Sequence, residues 1–109
     1  MDDLSSLIDF TAEVSPANAI NYPQLASLDG EDEFAFMLSH SLRHTDKSTG
    51  RLQTLLEAYE HGNMSALKRD VIEREAVKFV FNAFRIVQLL GMSSADVAVS
   101  MREQFKPRT

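Results

Sequence analysis

The chain has 109 residues, 44% of them apolar and 25% charged, with no cysteine and a net charge of −5. That length holds one hydrophobic core rather than two, and the missing cysteines remove disulfides, zinc thiolates and cysteine nucleophiles together. The acidic balance disfavours direct nucleic-acid binding, which needs a basic surface to displace counterions.

The charge is unevenly spread. Residues 1–33 carry eight acids and no Lys or Arg, a balance of −8, and the remainder carries +3. The N-terminus has no basic start ahead of an apolar run, so no secretory signal is expected and the expected compartment is the cytoplasm. Asp2 or Asp3 can cap a short helix bearing Leu4, Leu7 and Ile8, extended by Phe10 and Val14. Ser15-Pro16 stops it, and Pro23 and Asp29-Gly30 punctuate the next stretch of chain. Residues 1–30 therefore read as an acidic N-terminal arm and linker, and residues 31–109 as the helical domain. Leu4, Leu7, Ile8 and Phe10 are the arm residues expected to hold a partner.

A long helix is predicted from about Glu31 to His61. Its acids Glu31, Asp32 and Glu33 suit the positive end of the helix dipole. Leu38, Leu42, Thr45, Thr49, Leu52, Leu56 and Tyr59 repeat at 4-3-4-3 spacing, the seam of an antiparallel helix pair. Gly50 inside it costs about 1 kcal/mol relative to alanine, so a kink or break is expected between Thr45 and Gly50. Gly62 supplies the left-handed cap.

The next helix is predicted from about Ser65, capped by Asn63 or Ser65, to Leu90. Ile72, Ala76, Phe79, Ala83, Ile86 and Leu90 form one face, and Val77, Val80, Phe84 and Val87 a second beside it. Between Ala76 and Leu90 the polar residues Lys78, Asn82, Arg85 and Gln88 trace one narrow stripe, with Phe81 on its margin. They also interrupt the run too often for it to span a bilayer. A helix this apolar is buried on most sides, and one partner helix cannot cover it. A homodimer is therefore expected, with Phe79, Val80, Phe81, Phe84, Ile86, Val87 and Leu90 at the dimer or partner interface. Gly91 ends the helix, Ser93-Ser94-Ala95-Asp96 opens a last one as a capping box, and Pro107 terminates it. The predicted fold is all-α: a long antiparallel helical hairpin, a short C-terminal helix, an N-terminal helical arm, and a dimer.

No complete catalytic or metal motif is present, so no catalytic residue, metal ligand or cofactor is assigned, and no enzymatic activity is expected. His40 and His44 have the spacing of a metal pair but lack an obvious third ligand. Phe36-x-x-Ser39-His40-Ser41-Leu42-Arg43 resembles the phosphoacceptor box of sensor histidine kinases, an alternative reading as a phosphotransfer or dimerisation domain. Its downstream proline and the glycine-rich nucleotide boxes are absent. Glu57-x-x-Glu60 followed by a long helix is similar to nucleotide pyrophosphohydrolases of the MazG type, which hold magnesium with a second acidic pair. Here Glu75 is followed by Lys78 where that second acid belongs.

The hairpin and Ala83-Phe84-Arg85-Ile86-Val87-Gln88-Leu89-Leu90-Gly91-Met92 resemble small quorum-sensing anti-activators of the TraM and QslA type. That resemblance covers some 60 residues and implies an all-helical dimer that sequesters a LuxR-type transcription factor by direct binding. The hairpin is also similar to rod-forming subunits of flagellar and type III secretion systems, which are more polar than residues 65–90. The function expected is that of a regulatory protein-interaction module with a protein partner, without direct nucleic-acid or membrane contact.

Overall fold

The computed structural model describes residues 2–107 of the chain. Residues 1 and 108–109, the outermost ends of the arm and of the helical domain, lie outside the described residues. Among the described residues there are four α-helices, α1 (Asp3–Val14), α2 (Gly30–Glu60), α3 (Arg69–Leu89) and α4 (Ser94–Gln104), with a 3-10 turn at Pro23–Ser27. The fold is all-α.

Each boundary has a local cause. Asp2 caps α1 by accepting the Ser5 N–H at 2.6 Å. Gly62 (φ +101°) and Gly91 (φ +71°) close α2 and α3. At each end the glycine N–H and the following N–H donate back to carbonyls of the last turn, Tyr59 and Ala58 for α2, Gln88 and Val87 for α3. This is the Schellman arrangement, which needs the left-handed region that glycine enters without strain. Ser93 and Asp96 form a reciprocal capping box at α4.

Two boundaries differ from expectation. Helix α2 runs unbroken through Thr45–Gly50. Thr45, Thr49 and Thr54 each donate a hydroxyl hydrogen bond to the carbonyl four residues back, so the polar middle meets its needs along the helix itself and has no need to break it. Helix α3 begins at Arg69, with Lys68 at the N-cap and no side-chain cap. Asn63 instead accepts from the Ser65 N–H and hydroxyl, folding residues 63–65 into a turn ahead of the helix.

Helices α2 and α3 pack antiparallel: Arg51 near the α2 C-terminus bonds Glu75 near the α3 N-terminus, and Arg85 reaches Met37 at the other end. Helix α1 lies on α3 and touches α4. Ser5 donates to the Ser94 hydroxyl, which donates to Asp2, each at 2.9 Å. The segment between α1 and α2 is folded on Asn18, whose side chain accepts the Ile20 and Asn21 N–H groups. It brings Tyr22 edge-on to Phe36 and His40, at ring separations of 5.3 and 5.4 Å. The chain is a slab 49 × 45 × 23 Å, two helix diameters thick.

Candidate functional site

Polar and apolar residues of the hairpin lie opposite to the usual arrangement. The fully buried apolar residues among those described are Ile8, Ala17 and Ala66, whereas Thr11, Ser41, Ser48, Glu75, Asn82 and Arg85 are buried as well. Of the polar stripe of α3, the narrow row a core helix would turn to solvent, Asn82 and Arg85 are buried and line one cavity with Ser41 and Ser48 of α2, while Lys78 is exposed. The α2 meridian that meets this stripe is rotated by roughly 60° from the 4-3-4-3 seam, at 100° per residue. Leu42, Leu56 and Tyr59 of that seam therefore stay exposed. Among the buried charges, Glu75 has its desolvation offset by Arg51 and Lys78, whereas Arg85 has only neutral contacts.

The apolar rows of the two helices fall on one side of the hairpin. In an antiparallel pair of right-handed helices, residues displaced in the same sense from the two buried meridians lie on a common side. Leu38, Leu42, Leu52 and Leu56 of α2 thus share a side with Ile72, Ala76, Phe79, Ala83, Ile86 and Leu90 of α3. Leu42 and Leu56 are each 48% exposed and Leu90 56%. Around the back of α3 the surface stays apolar through Val80 and Val77, the latter 67% exposed. The opposite side of the hairpin carries α1, the Tyr22 segment and a polar cleft.

The seven predicted interface residues divide accordingly. Val80 and Leu90 are exposed, Phe79, Phe84, Ile86 and Val87 are half-buried, and Phe81 lies across the hairpin in the cleft wall. On α1, Ile8 points inward and is buried, Leu4 is half-buried, and Leu7 and Phe10 face out. With Val14 they form an exposed row at i, i+3 and i+7.

The cleft is a cavity of about 360 Å³ between α2, α3 and the Ser15-Pro16 corner. Lys47, Arg51, Lys78 and Arg85 reach it with His40 and His44, and no carboxylate among the described residues lines it. Beside it, Glu75 accepts from Arg51 at 2.7 Å and Lys78 at 3.0 Å, and these two hydrogen bonds hold its carboxyl below the usual carboxylate range. Arg85 has neutral partners, Gln88 and the Met37 sulfur, and burial lowers its pKa. The His40 and His44 ring centroids lie 4.4 Å apart with the planes tilted by 48°. Burial, then neighbouring cationic groups, pushes both imidazoles below their ordinary value. His40 Nε2 is buried without a hydrogen-bond partner, which closes that nitrogen to a phosphoryl donor in this conformation.

Among the described residues no three metal-ligating side chains come together. Glu57 and Glu60 are exposed, and both Glu75 oxygens are occupied by cations. Among the described residues no single helix is long and apolar enough to cross a membrane; α3 and α4 reach that measure only as a pair bent by 109°. Sequence reasoning misses the cleft because it takes Lys78, Asn82 and Arg85 for the edge of an interface helix. The signal is present: three long polar side chains at helical spacing inside an otherwise apolar helix need a polar partner row. Compared with known proteins, the chain matches no family model, no curated protein and no solved structure, so its role has to be read from this geometry and chemistry.

Proposed function

We propose that the chain is a protein-interaction module working as a homodimer, with the open apolar side of the hairpin as the dimer face. The outward α1 row Leu7, Phe10 and Val14 remains for a protein partner. The observation that carries this is surface area. A compact monomer of 12.2 kDa exposes about 6,100 Å², and this chain exposes 8065 Å². The surplus is about a third, and a stable interface typically hides about 800 Å² per partner. The radius of gyration, 17.0 Å, likewise exceeds the roughly 13 Å of a compact domain of this length.

The narrower proposal is stoichiometric sequestration of a LuxR-type transcription factor, as the likeness to TraM and QslA implies. Exposed acids at Asp29, Glu31, Asp32 and Glu33 would complement basic patches on such a target and speed encounter. Size exclusion with light scattering tests both levels. The chain alone is expected at twice its 12.2 kDa mass, and mixing with a LuxR-type regulator at micromolar concentration should give a faster-eluting complex. A monomer with no complex would defeat the reading; a dimer with no complex would defeat only the choice of target.

A further inference from the structure

The cleft on the covered side of the hairpin has a charge imbalance that no described residue corrects. Four permanent cations, Lys47, Arg51, Lys78 and Arg85, reach one cavity. Arg51 and Lys78 share a single carboxylate, Glu75. Lys47 and Arg85 form no ion pair among the described residues. Arg85 is the most informative, because it is only 8% exposed and its contacts are an amide oxygen and a thioether. An Arg guanidinium taken out of water normally finds a carboxylate, a phosphate or a full set of carbonyl acceptors. The aromatic wall at Phe81 and the ring of Pro16 add an apolar surface to the same cavity, and Ser15, Ser41 and Ser48 stand at its edge. At about 360 Å³ it falls within the size range of small-molecule pockets.

We infer that this cleft is a binding site for a small organic anion: a phosphate or carboxylate group held by Arg85 and Lys47, attached to a compact ring lying against Phe81 and Pro16. Arg85 supplies the forked donor that matches two oxygens of such a group. Lys47, exposed on α2, supplies a mobile second charge at the mouth. Arg51 and Lys78 are held by Glu75, which leaves Lys47 and Arg85 as the cations free to meet an anion. The site lies across the hairpin from the open apolar side, so it does not depend on the dimer reading.

Titration calorimetry of the full chain at low salt, with phenyl phosphate and inorganic phosphate as probes, tests the assignment. Phenyl phosphate is expected to bind saturably, and inorganic phosphate about tenfold more weakly for lack of the ring. Arg85→Met fills the same space without charge. It should keep the fold, melt at the same or a higher temperature without ligand, and bind phenyl phosphate at least about tenfold more weakly. Lys47→Gln, an exposed change that does not threaten folding, should weaken binding in the same direction. Absence of saturable binding by either probe at millimolar concentration overturns the site. Full-strength binding by Lys47→Gln together with a folded Arg85→Met overturns it as well. Equal affinity for the two probes overturns the apolar half and leaves a bare oxyanion site. If Arg85→Met unfolds, Arg85 is structural, and undiminished binding by Lys47→Gln then overturns the assignment alone.

Discussion

His40 and His44 couple the cleft to proton concentration. Both imidazoles titrate below 6.5, because burial first, and then nearby cationic groups such as Lys47, disfavour the charged form. As pH falls past 6.5 the unfolded chain takes up these protons before the folded chain does. Stability is therefore complete above that value and declines below it, until the folded-state imidazoles protonate in turn. Melting temperature is expected to fall between about pH 7 and pH 5.5, and the double change His40→Gln and His44→Gln should flatten that slope. An unchanged slope would place the titrating groups elsewhere. Glu75 acts in a lower range: its lowered carboxyl contributes above the ordinary value of 4.5 and is lost as pH falls through its folded value. Sequence spacing places both histidines on one face of α2, but their burial depends on Tyr22 and α3, far along the chain.

At the scale of the elements, caps are the most legible feature because capping chemistry is local. Gly62, Gly91 and the Ser93–Asp96 box end and start helices where the sequence predicts them. The predicted interruption around Gly50 and the predicted start at Ser65 fail for a related reason. Propensity sums at single residues are about 1 kcal/mol or less, and hydroxyl-to-carbonyl bonds along α2 or a competing Asn63 turn are of similar size. Two glycines separate the cases. Gly50 is helical with open space where a Cβ would stand, so Gly50→Ala should raise stability by about 0.5–1 kcal/mol. Gly91 has equal space but φ +71°, so Gly91→Ala should lower it by about 1 kcal/mol or more through strain alone. Urea midpoints measure both, and a shared sign would refute the conformational explanation.

At the scale of the whole molecule, the chain is two helix layers whose buried residues include Thr11, Ser41, Ser48, Glu75, Asn82 and Arg85 beside Ile8, Ala17 and Ala66, with an apolar exterior on one side. Leu42 and Ala83 sit on that side and are exposed in the single chain, so a carboxylate there can reach solvent. Leu42→Glu or Ala83→Glu is expected to leave helicity unchanged, shift the light-scattering mass to 12.2 kDa, and lower the melting temperature as the dimer contribution is lost. Retention of the dimer by both variants would move the interface elsewhere, with Val77 and Val80 on the back of α3 the next surface to change. The helix α3 illustrates how far sequence reaches. Its apolar excess, its Leu-Gly end and the polar stripe Lys78, Asn82, Arg85 are all properties of helical periodicity and local capping, and they are readable without coordinates. Which way the stripe faces is not, because rotating a helix about its axis leaves every local interaction unchanged. Only the tertiary structure decides it, with Arg51 on α2 pairing with Glu75 and the small side chains of Ser41 and Ser48 buried on the same helix. Once Glu75, Asn82 and Arg85 turn inward, the apolar rows have only the outside left to occupy.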